Sequence, residues 1–278
     1  MNSKTAAQAL RSSNLTRISN GQLVPANEPG LRAEPSSDAI ATVLSVVGKR
    51  NSIYVTFFDD GYELIDSFLT PEQLETLNRE IGLAELPRTV GGVRNAQEKY
   101  PCIKRFTSST YAIDKAAGYL RRTPKLVRAI LFNKTEVNNW LVSWHQDKTV
   151  AVSKEFRAEG WGPWSEKDGV VHVQPPVEVL NSMVTFRIHL DASSEENGCL
   201  SVLPGSHKLG ILTQQEIAER SSTFEPVLCK APERFALVMR PHLLHASAKG
   251  TAPTQRRVLH IEYCDYELPS GVAWAKSG

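Results

Sequence analysis

A histidine and an aspartate two residues apart, His145 and Asp147, are the residues of this sequence whose spacing most clearly suits chemistry. Side chains of a β-strand repeat every two residues, so in a strand this imidazole and carboxylate would project from one face. Two such ligands make an incomplete metal site. Two histidines and one carboxylate on one side of a metal form the facial triad of non-haem Fe(II) sites, so a second histidine must come from elsewhere in the chain.

Six further histidines are candidates for that third ligand: His172, His189, His207, His242, His245 and His260. The spacing of three between His242 and His245 puts them on opposite faces of an extended strand, so only one of the two can face the site. Arg256 follows His245 by eleven positions. A guanidinium there could bind a carboxylate through a two-point fork, which a lysine cannot reproduce.

Two segments that alternate between apolar and polar residues must position these groups. In Val184–Leu190 the polar face carries Thr185, Arg187 and His189, and Val258–Tyr263 repeats the design with Arg256, Val258, His260 and Glu262 on one face. Each predicts a strand with one packed face and one face that lines a polar interior. Arg187 would therefore point inward, where its partner is either a bound acid or an acidic residue of the next strand.

The other elements that the sequence predicts are a hairpin, two helices and a strand. Two β-rich runs at 42–47 and 53–58 form the hairpin. A capping box at Thr70–Gln73 starts a helix with Leu74, Leu77 and Ile81 at helical spacing, and a second helix covers Tyr111–Arg122. Val127–Lys134 follows as a strand. Many strands with two early helices favour a barrel or sandwich, a mainly β fold with peripheral α-helices.

Composition limits the size and the partners of the protein. The chain has 278 residues, and its net charge of +2, from 32 Lys+Arg and 30 Asp+Glu, gives no general electrostatic case for nucleic acid or membrane binding. Four scattered cysteines indicate neither a disulfide framework nor a thiolate zinc site, and no apolar run approaches the ~18 residues of a membrane span. We expect a cytoplasmic protein with a small-molecule substrate, built as an irregular arm (1–38) and one domain (39–278).

Several of these residues together closely resemble the phytanoyl-CoA dioxygenase family of Fe(II)/2-oxoglutarate oxygenases. The resemblance rests on His145-Gln146-Asp147, the segment Asn197–His207, His245 with Ser247, and Arg256, and it spans roughly Gly61–Tyr263. It implies a double-stranded β-helix, the jelly roll of cupin-like proteins. It also implies that His145, Asp147 and His245 bind iron, and that Arg256 and Ser247 bind the distal carboxylate of 2-oxoglutarate.

The resemblance further implies a dioxygenase that uses Fe(II), 2-oxoglutarate and O2. The expected reaction is hydroxylation of a C–H bond in a small organic molecule, with release of succinate and CO2. Asp147 is relevant here, because related halogenases replace the carboxylate by a small residue that admits chloride. The same chemistry ending in desaturation, cyclisation or epimerisation stays open, as does a non-catalytic jelly roll that binds a metal or ligand.

Four residues are candidates for contact with the substrate, each with a structural alternative. Arg187 points into the predicted interior, and Arg94 follows Gly91-Gly92, where a lid or a simple turn fits equally. Trp161 and Trp164 belong to a long insert that either covers the site or packs on itself.

Other polar residues have a structural interpretation in the sequence. His207 is expected to shape a loop, and His242 to be a packed or solvent-facing residue. The basic residues Arg121, Arg122, Lys125 and Arg128 are expected to form a solvated helix end followed by a strand.

Overall fold

The computed structural model describes residues 16–19, 22–25, 56–83, 91–252 and 255–275. The chain divides into two compact units, Met1–Leu44 and Ser45–Gly278. In the first, β1 (Thr16–Ser19) pairs antiparallel with β2 (Gln22–Pro25). The sequence analysis predicts no regular structure here, although the Asn-Gly dipeptide between the two runs is a common hairpin signal. The division into an arm (1–38) and one domain (39–278) stays a prediction.

The second unit consists mainly of strands. In chain order they are β3 (Tyr62–Ile65), β4 (Gly92–Arg94), β5 (Lys125–Lys134), β6 (Val142–His145), β7 (Val150–Val152), β8 (Trp164–Lys167), β9 (Val170–Val173), β10 (Met183–His189), β11 (Leu200–Val202), β12 (Val227–Cys229), β13 (Ala236–Met239), β14 (His245–Ser247) and β15 (Arg256–Cys264). The helices are α1 (Pro71–Leu83), α2 (Ala96–Lys99), α3 (Pro101–Thr107), α4 (Thr110–Ala117), α5 (Val177–Asn181) and α6 (Gln214–Thr223), with a 3-10 turn at Ser206–Leu209.

Two antiparallel sheets carry the fold. Within the described residues, the larger sheet has six strands in the order β3-β13-β10-β15-β5-β4, and a second has four in the order β12-β11-β14-β6. Leu237 and Met239 of the larger sheet share one buried cluster with Leu200 and Val202 of the smaller sheet. The two sheets therefore face each other across a common interior, and the predicted mainly β jelly-roll class is confirmed.

Helices cover the outer face of the larger sheet. Leu74, Leu77 and Ile81 of α1 pack in the same cluster as the odd-numbered apolar residues of β15 and the even-numbered ones of β10. The α1 capping box forms as predicted, with Thr70 N–H donating to Gln73 Oε1 at 2.8 Å and Gln73 N–H to Thr70 Oγ1 at 3.2 Å. The helix predicted at Tyr111–Arg122 is real but ends at Ala117, followed by Gly118.

The predicted strands lie within one or two residues of β5, β10 and β15. Their alternation is confirmed: Leu259, Ile261 and Tyr263 pack against the helices, so the intervening residues face the interior. The hairpin predicted at 42–58 lies mostly outside the described residues, and its last residues, Phe57 and Phe58, form a turn.

A third sheet, in the order β7-β9-β8, lies in the long insert after Asp147. It packs with α5 and Trp274 in a separate buried cluster, and Trp274 also bridges to Val152. The four cysteines of the chain are free and buried. Among the described helices, none is both long and apolar enough to cross a membrane.

Candidate active site

The second histidine of the site comes from the strand that pairs with β6. In the β6–β14 pair His145 and His245 are direct partners, and their ring centroids are 4.2 Å apart. Asp147 Oδ1 lies 3.9 Å from His145 Nε2, and Asp147 Oδ2 lies 3.6 Å from His245 Nε2. One ligand atom from each of the three residues lies within 4.8 Å of the other two, which is close enough for all three to bind a single metal ion.

Asp147 reaches this site in a way that the sequence did not predict. The strand β6 ends at His145, so strand alternation does not align the two side chains. Asp147 is held from the following extended segment, where its N–H donates to the carbonyl oxygen of Pro241 at 2.9 Å. The residue between them, Gln146, is buried: its amide nitrogen donates to Gly210 O and His242 O, and its oxygen accepts from Leu212 N–H, each at 2.8 Å.

Both histidines present the same nitrogen to the site. His145 Nδ1 is 2.8 Å from Ser143 O, and His245 Nδ1 is 2.8 Å from Leu243 O. A carbonyl oxygen only accepts, so Nδ1 carries the proton in each ring and the Nε2 lone pair is left for a metal. This arrangement fixes the ring orientation as well as the tautomer.

The charge states of His245 and Asp147 suit a divalent cation. Burial, and then the charge of His145, lowers the pKa of His245 to about 3, so its ring is neutral at physiological pH. Burial alone would raise the pKa of Asp147, but the charges of His245, His260 and Arg128 hold it well below its usual range. Two imidazole nitrogens and one carboxylate are the donor set of non-haem Fe(II) sites, so these residues fit iron.

A second group, Asp147, His260 and Glu262, also brings its ligand atoms within 4.8 Å of one another. It belongs to a buried chain of hydrogen bonds. Arg187 Nη1 lies 3.1 Å from His260 Nδ1, His260 Nε2 lies 2.9 Å from Glu262 Oε1, and Arg128 Nη2 lies 2.7 Å from the same oxygen. Arginine only donates, so His260 Nδ1 accepts and His260 Nε2 carries the proton. This ring therefore has no free lone pair for a metal.

Arg256 and Lys134 form a buried cluster of cations near Ser247, two residues after His245, and this cluster is called the cationic pocket below. Arg256 of β15 and Lys134 of β5 are direct partners across the strands, and both are buried. Lys134 Nζ donates to Ala248 O at 2.6 Å and to Ser247 Oγ at 3.3 Å, and Ser247 Oγ donates to Gly198 O at 2.8 Å. No carboxylate in the described ranges lies within ion-pairing distance of Arg256 or Lys134, and Arg256 Nε–H has no acceptor there.

Arg187 adds to this positive charge, and the pKa values of the surrounding groups are lowered in response. Burial, and then Arg187, lowers the pKa of Arg256 to about 10, and burial followed by Arg256 lowers that of Lys134 to about 8. Burial, Arg187 and Arg256 lower the pKa of His189 to about 3, and neither of its ring nitrogens has a partner in the described part of the chain. A buried charge normally has a counter-charge, so this pocket suits an anion.

A cavity of about 570 Å³ opens beside Asp147. Its lining also includes Gly91, Gly92, Arg94, Arg128, Ile130, Phe132, Asn138, Trp140, Thr149 and Lys167. Arg94, one of the four residues predicted to contact substrate, is among them. Arg187 points inward as predicted. Its partner on the neighbouring strand is His260 rather than an acid, and its guanidinium carbon lies 5.3 Å from the Phe132 ring centroid.

Trp161 and Trp164 do not line this cavity. Both pack edge-on against Phe156, at 4.8 and 5.2 Å between ring centroids. These contacts fit the packed-insert alternative of the sequence analysis better than a cover over the site.

Two other histidines, His242 and His207, belong to neither of the two groups of candidate metal ligands found among the described residues. The ring centroids of His242 and His207 are 6.2 Å apart, in an edge-to-face arrangement. Burial, and then His207, lowers the pKa of His242 to about 3. His207 also packs against the backbone of Gly61, where a Cβ atom would come within 2.3 Å of its ring. Both positions agree with the structural roles expected for these residues.

Sequence reasoning missed the contributions of Arg128 and Lys134. Arg128 was expected in a solvated run, a helix end followed by a strand, whereas it is buried and paired with Glu262. The signal was present, because Arg128, Ile130, Phe132 and Lys134 fall on one face of the predicted strand.

Comparison with known proteins agrees with this geometry. The sequence matches the family profile described as phytanoyl-CoA dioxygenase over residues 57–258, a range that contains His145, Asp147, His245 and Arg256. No curated protein matches the chain.

Solved structures share the fold at low sequence identity. AviO1 from Streptomyces viridochromogenes Tue57 is 19% identical, with a TM-score of 0.58 over 77% of this chain and 93% of its own. HygX from Streptomyces hygroscopicus, solved with nickel, 2-oxoglutarate and hygromycin B, is 16% identical, with a TM-score of 0.54 over 75% and 84%. The 2-oxoglutarate-dependent epimerase SnoN from nogalamycin biosynthesis is 15% identical, with a TM-score of 0.55 over 87% and 88%.

Proposed function

The chain belongs to the phytanoyl-CoA dioxygenase family of Fe(II)/2-oxoglutarate-dependent oxygenases, and we propose that it hydroxylates a C–H bond of a small organic molecule, releasing succinate and CO2. The observation that carries this proposal is the convergence of His145, Asp147 and His245 beside a cationic pocket and a cavity. Iron, when bound, would supply the activation of O2 that couples decarboxylation of 2-oxoglutarate to oxidation of the substrate.

We assign the iron ligands to His145 Nε2, His245 Nε2 and one Asp147 carboxylate oxygen. The support is the Nδ1 hydrogen bonds to backbone carbonyls, which leave both Nε2 lone pairs free, and the low pKa that keeps Asp147 ionised. Three protein ligands on one side leave positions open for the reactants.

We assign the distal carboxylate of 2-oxoglutarate to Arg256, with Ser247 and Lys134 beside it. The guanidinium offers a two-point contact, and the Lys134 ammonium adds a second positive charge without an acidic partner in the described residues. Arg187, a candidate for substrate contact in the sequence analysis, is better assigned a place between the cationic pocket and His260. There it adds positive potential and holds the His260 tautomer.

The cavity lined by Asp147 and Arg94 is the proposed substrate site. Its volume of about 570 Å³ lies in the range of small-molecule sites, which are typically ~300–1,000 Å³. HygX, a structural neighbour, was solved with the small molecule hygromycin B.

Epimerisation and ring closure are the second candidate outcome. They are favoured by two structural neighbours, the epimerase SnoN and the carbocyclase SnoK, which share this fold and a dependence on 2-oxoglutarate. The same residues would serve, so mass spectrometry of the product separates the outcomes. Hydroxylation adds one oxygen, whereas epimerisation leaves the mass unchanged.

The test is anaerobic addition of Fe(II) and 2-oxoglutarate, followed by exposure to O2. We expect a visible charge-transfer band and then succinate. Both should disappear in His145→Ala and Asp147→Ala and persist in Asp114→Ala, which removes an exposed carboxylate on α4. A wild-type protein without the band would leave a metal- or ligand-binding jelly roll as the better interpretation. Unchanged succinate formation in either ligand variant would refute the site.

A further inference from the structure

We propose that the cavity beside Asp147 recognises a substrate with an anionic group, a carboxylate or a phosphate, through Lys167 and Arg94. The inference rests on the proposed function, because it names the substrate class of the same site. It is carried by the three cations on the cavity wall and by Lys167 among them, which forms no ion pair with any residue that the structure describes.

Three cations from three different strands line this cavity: Arg94 of β4, Arg128 of β5 and Lys167 of β8. The acidic side chain in the lining is Asp147, which is assigned to the metal. Cations brought to one cavity from separate strands produce a positive field that is strengthened by the low dielectric of the walls. An anionic ligand would be attracted by that field.

The three cations differ in how well they are already neutralised. Arg128 is committed to Glu262, since the two are buried and 2.7 Å apart. Arg94 makes a loose, half-exposed contact with Asp168, with 3.8 Å between Nη1 and Oδ2. Lys167 forms no ion pair with any described residue, and its Nζ donates to Thr149 Oγ1 at 3.4 Å. Lys167 is therefore the cation that most needs an anion.

Lys167 is also partly shielded from water. Burial lowers the pKa of its ammonium, and the charges of Arg128 and Arg94 lower it further. The charges of Asp147 and Glu262 offset this only in part, and the two carboxylates are already assigned to the metal and paired with Arg128. A carboxylate or phosphate bound between Lys167 and Arg94 would reduce the repulsion between these cations and accept hydrogen bonds from both side chains.

The opposite character of the remaining wall suggests the rest of the substrate. Ile130, Phe132 and Trp140 line the cavity with apolar and aromatic surface. Gly91 and Gly92 allow the edge strand to approach this surface, because a Cβ atom at either would lie 3.1 Å from the Trp140 or Phe132 ring. The cavity therefore suits a molecule with an apolar or ring-containing body and an anionic group.

The test measures binding of small probes to protein loaded with Zn(II) and saturated with 2-oxoglutarate, which fills the Arg256 pocket and prevents turnover. Calorimetry compares benzyl phosphate with benzyl alcohol, and phenylacetate with phenylacetamide. We expect each anion to bind roughly tenfold or more tightly than its neutral partner, as a charge-assisted contact gives. The phosphate and carboxylate pairs show which anion is preferred.

Variants connect that preference to the two residues. Lys167→Met and Arg94→Gln should each weaken binding of the preferred anion roughly tenfold and leave the neutral probes unchanged. Lys99→Met and Arg79→Gln, both at exposed positions outside the cavity, serve as matched controls that keep wild-type affinity. Lys167→Gln repeats the test if the methionine variant folds poorly.

Equal binding of charged and neutral probes, absence of binding by either anion, or unchanged affinity in both variants would overturn the proposal. These outcomes are separable from failure of the proposed function. Wild-type protein that forms the Fe(II)/2-oxoglutarate charge-transfer band and succinate keeps that function even if anion selectivity is absent.

Discussion

Arg256 and Lys134 face each other directly across β15 and β5, two buried cations that pair with no acid among the described residues. Like charges opposite each other in a sheet destabilise it, and burial increases the cost. Folding therefore leaves two positive charges at this position that no described residue neutralises. A dianion such as 2-oxoglutarate would neutralise these charges, which links the fold to cosubstrate binding.

Removing the lysine should weaken cosubstrate binding without abolishing it. We expect Lys134→Met to raise the Kd for 2-oxoglutarate roughly tenfold, because one charge-assisted contact is lost while Arg256 remains. Isothermal titration with Zn(II)-loaded protein measures this. Lys125→Met, at the exposed start of the same strand, is the control and should bind normally. An unchanged Kd in Lys134→Met would assign Arg256 alone to the carboxylate.

The same lysine predicts a pH dependence. Burial and Arg256 lower the pKa of Lys134 to about 8, so the ammonium is fully charged below that pH and loses its proton above it. Affinity for 2-oxoglutarate should be highest below pH 8 and fall as pH rises through it. Arg256 and Cys199, with pKa values of about 10 and about 11, do not titrate there. The decline should be absent in Lys134→Met, and a flat wild-type profile would contradict the assignment.

Stability should depend strongly on the buried pair of Arg128 and Glu262. Removing one partner leaves an unpaired charge in the interior, so Glu262→Leu or Arg128→Met should each lower the free energy of unfolding by about 3–5 kcal/mol. The double variant should recover much of this loss. Chemical denaturation measures all three.

The exposed pair of Arg105 and Glu80 provides the control for that experiment. Its shortest N–O distance, 2.6 Å, is comparable to that of the buried pair, but it lies at the surface. Arg105→Met should therefore cost no more than about 1 kcal/mol. Equal costs at the two sites would show that burial does not matter here.

Gly198 should matter both for stability and for the position of Lys134. Its φ is +74°, and a Cβ atom would lie 2.5 Å from Ala248 O and 2.8 Å from Lys134 Nζ. Gly198→Ala should lower the melting temperature and raise the Kd for 2-oxoglutarate. Gly205→Ala is the matched control, because its φ is +77° and nothing lies within 4 Å of the added carbon. Gly205→Ala introduces backbone strain without a clash, so equal effects of the two variants would show that the clash at Gly198 does not contribute.

The sequence predicted best where the two faces of a strand differ chemically. Apolar and polar residues alternate from Val184 to His189 of β10 and from Leu259 to Tyr263 of β15, so the inward direction of Arg187 and Arg256 follows from period two. The capping box of α1 was predictable for a similar reason, because it depends on residues three positions apart. Local chemistry determines both features.

Features that depend on distant residues were not predictable in this way. Burial of Lys134 depends on Ser247 and Ala248, more than 110 positions away, and burial of Arg128 depends on Glu262, 134 positions away. A single strand pattern cannot show whether a charged side chain has such a partner. The approach of Asp147 through Pro241 likewise requires the tertiary structure.

The histidine rings of the site are oriented by main-chain oxygens, those of Ser143 and Leu243. Substitution of either side chain leaves its carbonyl group in place, so the proton stays on Nδ1 whatever residue occupies position 143 or 243. The tautomer is thus robust to mutation at these positions. The metal site depends instead on the pairing of β6 with β14, because each strand brings one histidine, so we expect metal release and local opening of this strand pair to be a single event.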